Sequence, residues 1–596
     1  MKYINNIMAA GAFALAISGV ALTSCSDFLT EEPNGRLVTE GFFSNNDDLI
    51  LSVNALYMNV AQAQSNSNPY IMDCQGDDMT STTGSNKGAY LSADAFETPT
   101  DYKGVEQVWK WQYNIIQAAN LIIDNAGKAN ATTQQINIAK GNAYFWRACA
   151  YFRLVRLFGP LPINEHNAPD NNSTPLSSVE DVYKLIESDL LNADACDLPA
   201  RYNTVEPYKT KNLGSFGETN LWITKQAVKS LMAAVYMNMA GYPMNKTEYY
   251  EKAADAALDV YNGVKNGTYP ERLESDYKQV FSYGNNFSQE QIVTISYYDV
   301  PGQMGNMGSY VSQFPLCHRF AQFNGGWGDF VAERHYWAEY PEGPRKAVMY
   351  DPLLNLNIRD DNGEYLCVSW WATKDEQPLT EDGKNAYVGV YHPMFSTFSV
   401  NADATGNAIA EPYDYSKPQV TYMSMPYCHR FIRLSEVYCW LAESAARSGK
   451  HVSEGTAALG EVMARAYDNV PTVTDLAEQA YKEHGYEVAG YPLALVSRRS
   501  DEFRMNRFEQ AWQYRNGSQD AVIVPRGTVT HSYKEEKYFE EGNPRPKYRK
   551  VAYTYELSYD LVMKENNPVA TSWNGENSIY HPYPPTETEK NPNIKR

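Results

Sequence analysis

The chain has 596 residues, with 51 Lys and Arg against 71 Asp and Glu and a formal charge of −20; a surface of that sign repels phosphate and argues against nucleic-acid binding and a polybasic membrane patch. Its eight cysteines include no Cys-x-x-Cys pair, so neither a zinc site nor a dense disulfide scaffold is expected. Tyrosine contributes 46 residues, and its flat apolar face with a hydroxyl suits a sugar or peptide surface and, equally, a tyrosine-rich helical core.

At the N-terminus Lys2 precedes an apolar stretch from Ile7 to Leu22, too short to span a bilayer, so residues 1–24 read as a secretory signal. It ends Leu22-Thr23-Ser24-Cys25, the pattern of a bacterial lipoprotein signal, in which the thiol of Cys25 carries the lipid. No later run of about 18 apolar residues follows, and several acyl chains on one Cys give stable attachment. The expectation is a protein anchored by lipid on Cys25 and not spanning.

Residues 25–266 are helical in pattern. Leu49, Val53, Leu56, Tyr57 and Val60 form one apolar stripe. The same sign recurs over Val108 to Ile123, Ile136 to Leu157, Val179 to Ala195 with Ser178 as cap, Ile223 to Met239 and Tyr249 to Tyr261. Phe158-Gly159-Pro160 and Gly241-Tyr242-Pro243 are breakers between them. The last two segments form a hairpin with Ala253, Ala254 and Ala257 where helices must approach, a spacing like that of tetratricopeptide repeats.

Residues 267–430 change character, to short β-type runs such as Ile292-Val293-Thr294-Ile295 among Gly, Asn and Pro turns and many aromatics. They read as an irregular, partly β layer, a form that usually serves binding. Residues 431–596 read as a C-terminal helical region and tail, with a second hairpin from Arg433 to Ala466. Cys-His-Arg-Phe occurs at 317–320 and at 428–431; coincidence explains it, although an oxidising compartment would permit a Cys317–Cys428 bridge.

No Gly-x-Ser-x-Gly elbow, phosphate-binding loop or His-Glu-x-x-His motif is present. The many carboxylates offer pairs for glycoside cleavage, but the separation that chemistry needs is spatial. Asp360-Asp361-Asn362-Gly363-Glu364 clusters oxygen ligands without EF-hand spacing and reads as a hairpin turn rather than a metal site. Asp77 and Asp78 lie in a polar stretch, 73–103, that also carries Tyr90; carboxylates that accept hydroxyls and a ring that stacks on a pyranose make a sugar clamp. Trp327 sits among glycines in Asn324-Gly325-Gly326-Trp327-Gly328, where no helical stripe can bury it. With Tyr298 these are the candidate ligand-binding residues, and no catalytic or metal-ligating set is assigned.

Several stretches resemble the SusD/RagB family of outer-membrane nutrient-binding lipoproteins. After Cys25 comes Ser26-Asp27-Phe28-Leu29 through Pro33, and then Trp111, Tyr113, Ile116 and Asn120. The most specific match runs from Arg147-Ala148 through Tyr151 and Phe158-Gly159-Pro160 to Pro162. Asp189-Leu190, Leu198-Pro199, Arg433 to Tyr438 and the tail Tyr583-Pro584-Pro585 also fit, whereas Ser497 to Gly517 fits poorly. The resemblance implies a mainly α fold, a tetratricopeptide-like scaffold of helical hairpins under a large loop-rich, partly β ligand-binding layer. It also implies a surface-exposed outer-membrane lipoprotein that needs no cofactor and is not an enzyme. Such a protein delivers a nutrient to a SusC-type TonB-dependent transporter, with the ligand held between the two. The expected ligand is an oligo- or polysaccharide; a peptide is the alternative, and a surface glycoside hydrolase is the reading from another class.

Overall fold

The structure, a computed structural model, describes residues 42–64, 72–81, 88–167, 173–297, 330–359, 363, 365–371, 392–418, 420, 427–517, 521–524, 529–556, 560–564 and 573–595. Cys25, Cys317 and the acidic residues of the 360–364 turn lie outside them.

The apolar stripes become helices almost where their periodicity puts them: Asn46–Gln64, Lys103–Asn125, Thr133–Phe158, Val179–Ala195, Lys225–Ala240 and Tyr249–Lys265. Local chemistry sets their ends. Thr132 and Gln135 form a capping box, with Gln135 N–H donating to Thr132 Oγ1 at 3.3 Å and Thr132 N–H to Gln135 Oε1 at 2.9 Å. Ser178 Oγ accepts from Asp181 N–H at 3.1 Å, as its position before Val179 predicts. Gly159 stops the longest helix at φ +75°, ψ −125°, a conformation that side chains resist.

The helices pack as successive hairpins. Thr133–Phe158 lies against both Lys103–Asn125 and Val179–Ala195, and Lys225–Ala240 against Tyr249–Lys265. A late set, Leu434–Ser448, Val452–Ala464 and Leu476–Val488, continues the stack, because Leu434–Ser448 packs directly on Tyr249–Lys265. The two helical regions that the sequence separates are therefore one scaffold. Gly455 permits the close approach of the late hairpin, since a Cβ there would meet Ala442 Cα and Ala445 Cβ at 3.0 Å each.

Polar latches connect the hairpins. Arg147 pairs with Asp189 through Nε at 2.8 Å and Nη2 at 2.6 Å, and its Nη1 donates to Asn120 Oδ1 at 2.8 Å and to the Glu165 carbonyl at 2.9 Å. Tyr151 Oη accepts from Asn164 N–H at 2.7 Å, and Tyr583 Oη donates to the Pro160 carbonyl at 2.7 Å, which seats the C-terminal tail on the Gly159 stop. Among the described residues, Arg147, Tyr151, Asp189, Asn120 and Tyr583, which carry the family resemblance, are thus scaffold parts.

The irregular layer leaves and returns through one ribbon, Gln291–Ile295 antiparallel with His429–Arg433. Inside it Tyr350–Asp351 pairs with Met394–Phe395, and Leu354–Arg359 with Tyr365–Val368 across the expected turn, where Gly363 has φ +89°. The layer has its own core, in which Tyr277, Tyr340, Tyr350, Tyr427 and Tyr491 are buried; these tyrosines serve packing. Residues 431–596, expected to be helix and tail, also contain two antiparallel ribbons, Ala521–Val524 with Leu561–Lys564 and Val529–Tyr538 with Lys547–Glu556. Their aromatic and β-branched residues around Glu540-Glu541-Gly542-Asn543 are the signal for a hairpin.

Candidate functional site

Met79–Ser81 pairs antiparallel with Phe330–Ala332, in the register Met79 with Ala332, Thr80 with Val331 and Ser81 with Phe330. The chain that continues from Ser81 toward Tyr90 and the chain that arrives at Phe330 from Trp327 therefore meet this ribbon at the same end. Arg515, from the helix Phe508–Gly517, fastens it: Nη1 donates to the Met79 carbonyl at 2.5 Å and to Asp94 Oδ1 at 2.8 Å, and Nη2 to Thr80 Oγ1 at 2.6 Å. Asp94 Oδ2 in turn accepts from Ser81 N–H at 3.0 Å and Ser81 Oγ at 2.9 Å. This is a buried charge pair whose remaining hydrogen-bonding capacity is used to hold backbone.

Asp77 and Asp78, expected as ligand-binding carboxylates of a sugar clamp, lead into the ribbon and make their bonds within the protein. Arg498 grips Asp77 with two bonds of 2.7 Å, and Asp78, 0% exposed, accepts from Gly490 N–H at 2.8 Å. The Asp78 carbonyl accepts from Glu333 N–H at 3.0 Å, and Glu333 caps the helix Arg334–Glu339 by accepting from Tyr336 N–H at 2.7 Å. Burial alone would raise the Asp77 carboxyl, but the charge and hydrogen bonds of Arg498 hold it below its ordinary value. Burial first, and then the charge of Asp77, pushes Asp78 up to about 7. Both carboxylates face inward, and the physical reason is Arg498, which brings a buried positive charge from far along the chain. Tyr90 belongs to the helix Gly88–Asp94 rather than to a loop, but its side chain lies outside the described residues, as do Tyr298 and Trp327.

Beside the ribbon the helix Arg334–Glu339 presents a half-buried aromatic face that the sequence reading did not select. Trp337 meets Trp370 edge to face with ring centroids 5.0 Å apart, and Lys346 Nζ lies 4.6 Å above the Trp337 ring. His335, also half-buried, approaches the Tyr514 ring at 6.2 Å. A flat half-buried ring can stack on an apolar sugar face, while the Lys346 ammonium beside it is paired with Glu342. The available signal was the run His335-Tyr336-Trp337, which lacks the glycines that drew attention to Trp327.

Cys428 carries a free, buried thiol. Among the described residues no group of three or more His, Cys, Asp or Glu is placed to hold a metal ion, and no helix is long and apolar enough to cross a membrane.

A SusD-like family model described as starch-binding and associating with the outer membrane matches residues 27–213. A SusD-like protein of Bacteroides ovatus is 23% identical over 542 residues, covering 87% of each chain. SusD-like protein P2 of Formosa agariphila is 25% identical over 338 residues, and the match spans 56% of this chain and 62% of that relative. A crystal structure with a xylogluco-oligosaccharide shares the fold with a TM-score of 0.60 at 19% identity, covering 91% of this chain and 97% of the other.

Proposed function

Because this chain belongs to the SusD-like family, we propose that it is a surface-exposed lipoprotein, held in the outer membrane by lipid on Cys25, that captures an oligo- or polysaccharide without cleaving it and passes it to a SusC-type TonB-dependent transporter. What supports this reading, besides the family likeness, is the pairing of Ser81 with Phe330, which stand nine residues before Tyr90 and three after Trp327 in the chain, in a ribbon followed by the helix that carries Trp337. The xylogluco-oligosaccharide in a structure of the same fold supports a sugar as the ligand class.

In this reading Trp327, Tyr298 and Tyr90 contact the ligand, and Asp77 and Asp78 hold the backbone that presents them. A stacked ring that removes roughly 60 Å² of apolar surface contributes about 1.5 kcal/mol, close to tenfold in affinity. The test is calorimetry of the chain lacking residues 1–25 against xyloglucan fragments, malto-oligosaccharides and unstructured peptides. Trp327→Ala should weaken sugar binding about tenfold and leave the melt unchanged. Binding of peptides alone would replace the sugar with the alternative ligand, and new reducing ends released by enzyme-free protein would overturn capture without cleavage. Cys25→Ala should abolish metabolic palmitate labelling, and persistent labelling would refute the anchor.

A further inference from the structure

Two adjacent residues of the helix Phe508–Gly517 serve two different elements beside the candidate ligand site, since neighbouring positions on a helix project about 100° apart. Arg515 serves the ribbon. Its side chain and that of Asp94 are both 0% exposed, and besides Met79, Thr80 and Asp94 its guanidinium reaches the Gly76 carbonyl at 3.4 Å. Asp94, the last residue of the helix Gly88–Asp94, also accepts from Thr80 Oγ1 at 3.1 Å. One guanidinium and one carboxylate thus hold residues 76–81 and that helix as a unit, and because both are buried, solvent does not replace either.

Tyr514 serves the helix Arg334–Glu339, which carries Trp337. Its ring lies 6.2 Å from that of His335, and its hydroxyl faces the Glu339 carboxylate at the end of that helix. Burial first, and then the charges of Glu333 and Glu339, push the hydroxyl above its ordinary value, so it stays a donor. The helix Phe508–Gly517 is itself fastened by other residues. Phe508 meets Phe96 edge to face at 5.4 Å with Arg499 4.8 Å over its ring, and Trp512 meets Trp573 at 6.0 Å.

We propose that Arg515 and Tyr514 are positioning residues of the ligand site, which set the distance between the stretch bearing Tyr90 and the Trp337 ring and with it the length of saccharide that the layer prefers. The inference rests on the ligand site proposed above. A chain of sugars that touches both faces samples that distance, whereas a disaccharide on a single ring does not. Faces held in place before the ligand arrives spare the cost of ordering them on binding. Arginine is required at 515 because a lysine supplies charge at one point and not the fork that spans the Met79 carbonyl, Thr80 and Asp94.

Two measurements on the full mature protein test this. Hydrogen–deuterium exchange should quicken over residues 76–94 in Arg515→Lys and over 333–340 in Tyr514→Phe, with the helix Thr133–Phe158 unchanged in both. By calorimetry each variant should bind a xyloglucan heptasaccharide about tenfold more weakly and a disaccharide fragment as the parent does. Equal loss for both lengths would make the two residues merely structural and overturn the proposal. Unchanged exchange in both segments would overturn it whether or not either sugar binds. If Trp327→Ala weakens heptasaccharide binding and neither variant does, the positioning role alone fails; if Trp327→Ala has no effect, the ligand site itself is misplaced and the proposal falls with it. Tyr514→Phe removes one oxygen and keeps the ring, so it decides the question even if Arg515→Lys folds poorly.

Discussion

The helical scaffold and the layer above it are built by opposite means. In the scaffold, most hairpins join helices that follow one another in the chain, caps sit next to the helices they begin, and buried alanines let neighbours approach. In the layer the fastenings reach across the whole sequence: Asp77 to Arg498 spans 421 residues, and Asp78 to Gly490 spans 412. Where the two meet, Glu487 lies within 3.0 Å of Arg345, 2.9 Å of Arg433 and 3.4 Å of Arg465, and Glu290 takes Arg465 through two further bonds of 2.5 and 2.8 Å. Regular structure can be stabilised locally by apolar periodicity. An irregular surface needs directional, charge-assisted bonds to hold one shape.

The largest expected effect comes from cutting that joint. Burial alone would raise the Glu487 carboxyl, and the three guanidinium groups hold it down to about 2. Glu487→Leu leaves Arg345, Arg433 and Arg465 with only Glu483, Glu436 and Glu290 as buried counter-charges, at a cost of about 3–5 kcal/mol. Urea denaturation followed by far-UV circular dichroism and tyrosine fluorescence should show scaffold and layer failing together at a lower midpoint; an unchanged midpoint would mean that the joint contributes no stability.

Next in size is Gly159→Val, which places a β-branched residue at φ +75° and should cost about 1–3 kcal/mol through strain. A lowered melt, equal with and without sugar, would mark the helix stop as a scaffold feature, and an unchanged melt would remove Gly159 from that role.

A smaller effect separates the layer by pH. The Asp78 carboxyl, raised to about 7, keeps its proton in the folded chain over a range in which the unfolded chain, near 3.9, has lost it. More protons are then bound in the folded state, so Asp78's contribution to stability falls as pH rises from about 4 to 7. Asp78→Asn should flatten the stability profile over that window. A profile identical to that of the parent would show that the carboxyl does not titrate there. The smallest expected change in stability is that of Trp327→Ala, whose effect belongs to binding.

The scaffold was legible because its signals are local. Ser178 caps Val179–Ala195 where the sequence puts it, and Phe158-Gly159-Pro160 ends its helix as read. The continuity of the stack through Leu434–Ser448 was not legible, since no periodicity reveals which helices meet across an insertion. The layer was readable only in fragments: the strands on either side of 360–364 and the Ile292 run appear as antiparallel ribbons. Asp77 and Asp78 drew attention as charges in a polar stretch. Arg498, the partner of Asp77, lies in the segment with the weakest resemblance to the family, and Gly490, the partner of Asp78, is 412 residues away, so nothing nearby in the sequence indicated that the two were engaged. Trp337 was missed because an aromatic in a short helix looks like core until its packing is known.

The ribbon of Met79–Ser81 also fixes an order of events during synthesis. Its second strand arrives about 250 residues later, and Arg515, which fastens it, a further 180 or so. At about 5–20 residues per second, the 421 residues between Asp94 and Arg515 take roughly 20 to 80 s to make. Through that interval the early helices have partners within reach and Asp94 has only Thr80 and Ser81, whereas Asp77 and Asp78 wait for Arg498 and Gly490. The binding layer is therefore the last part to close, and its exposed strand edge is the segment most in need of protection from wrong pairing while the chain is incomplete.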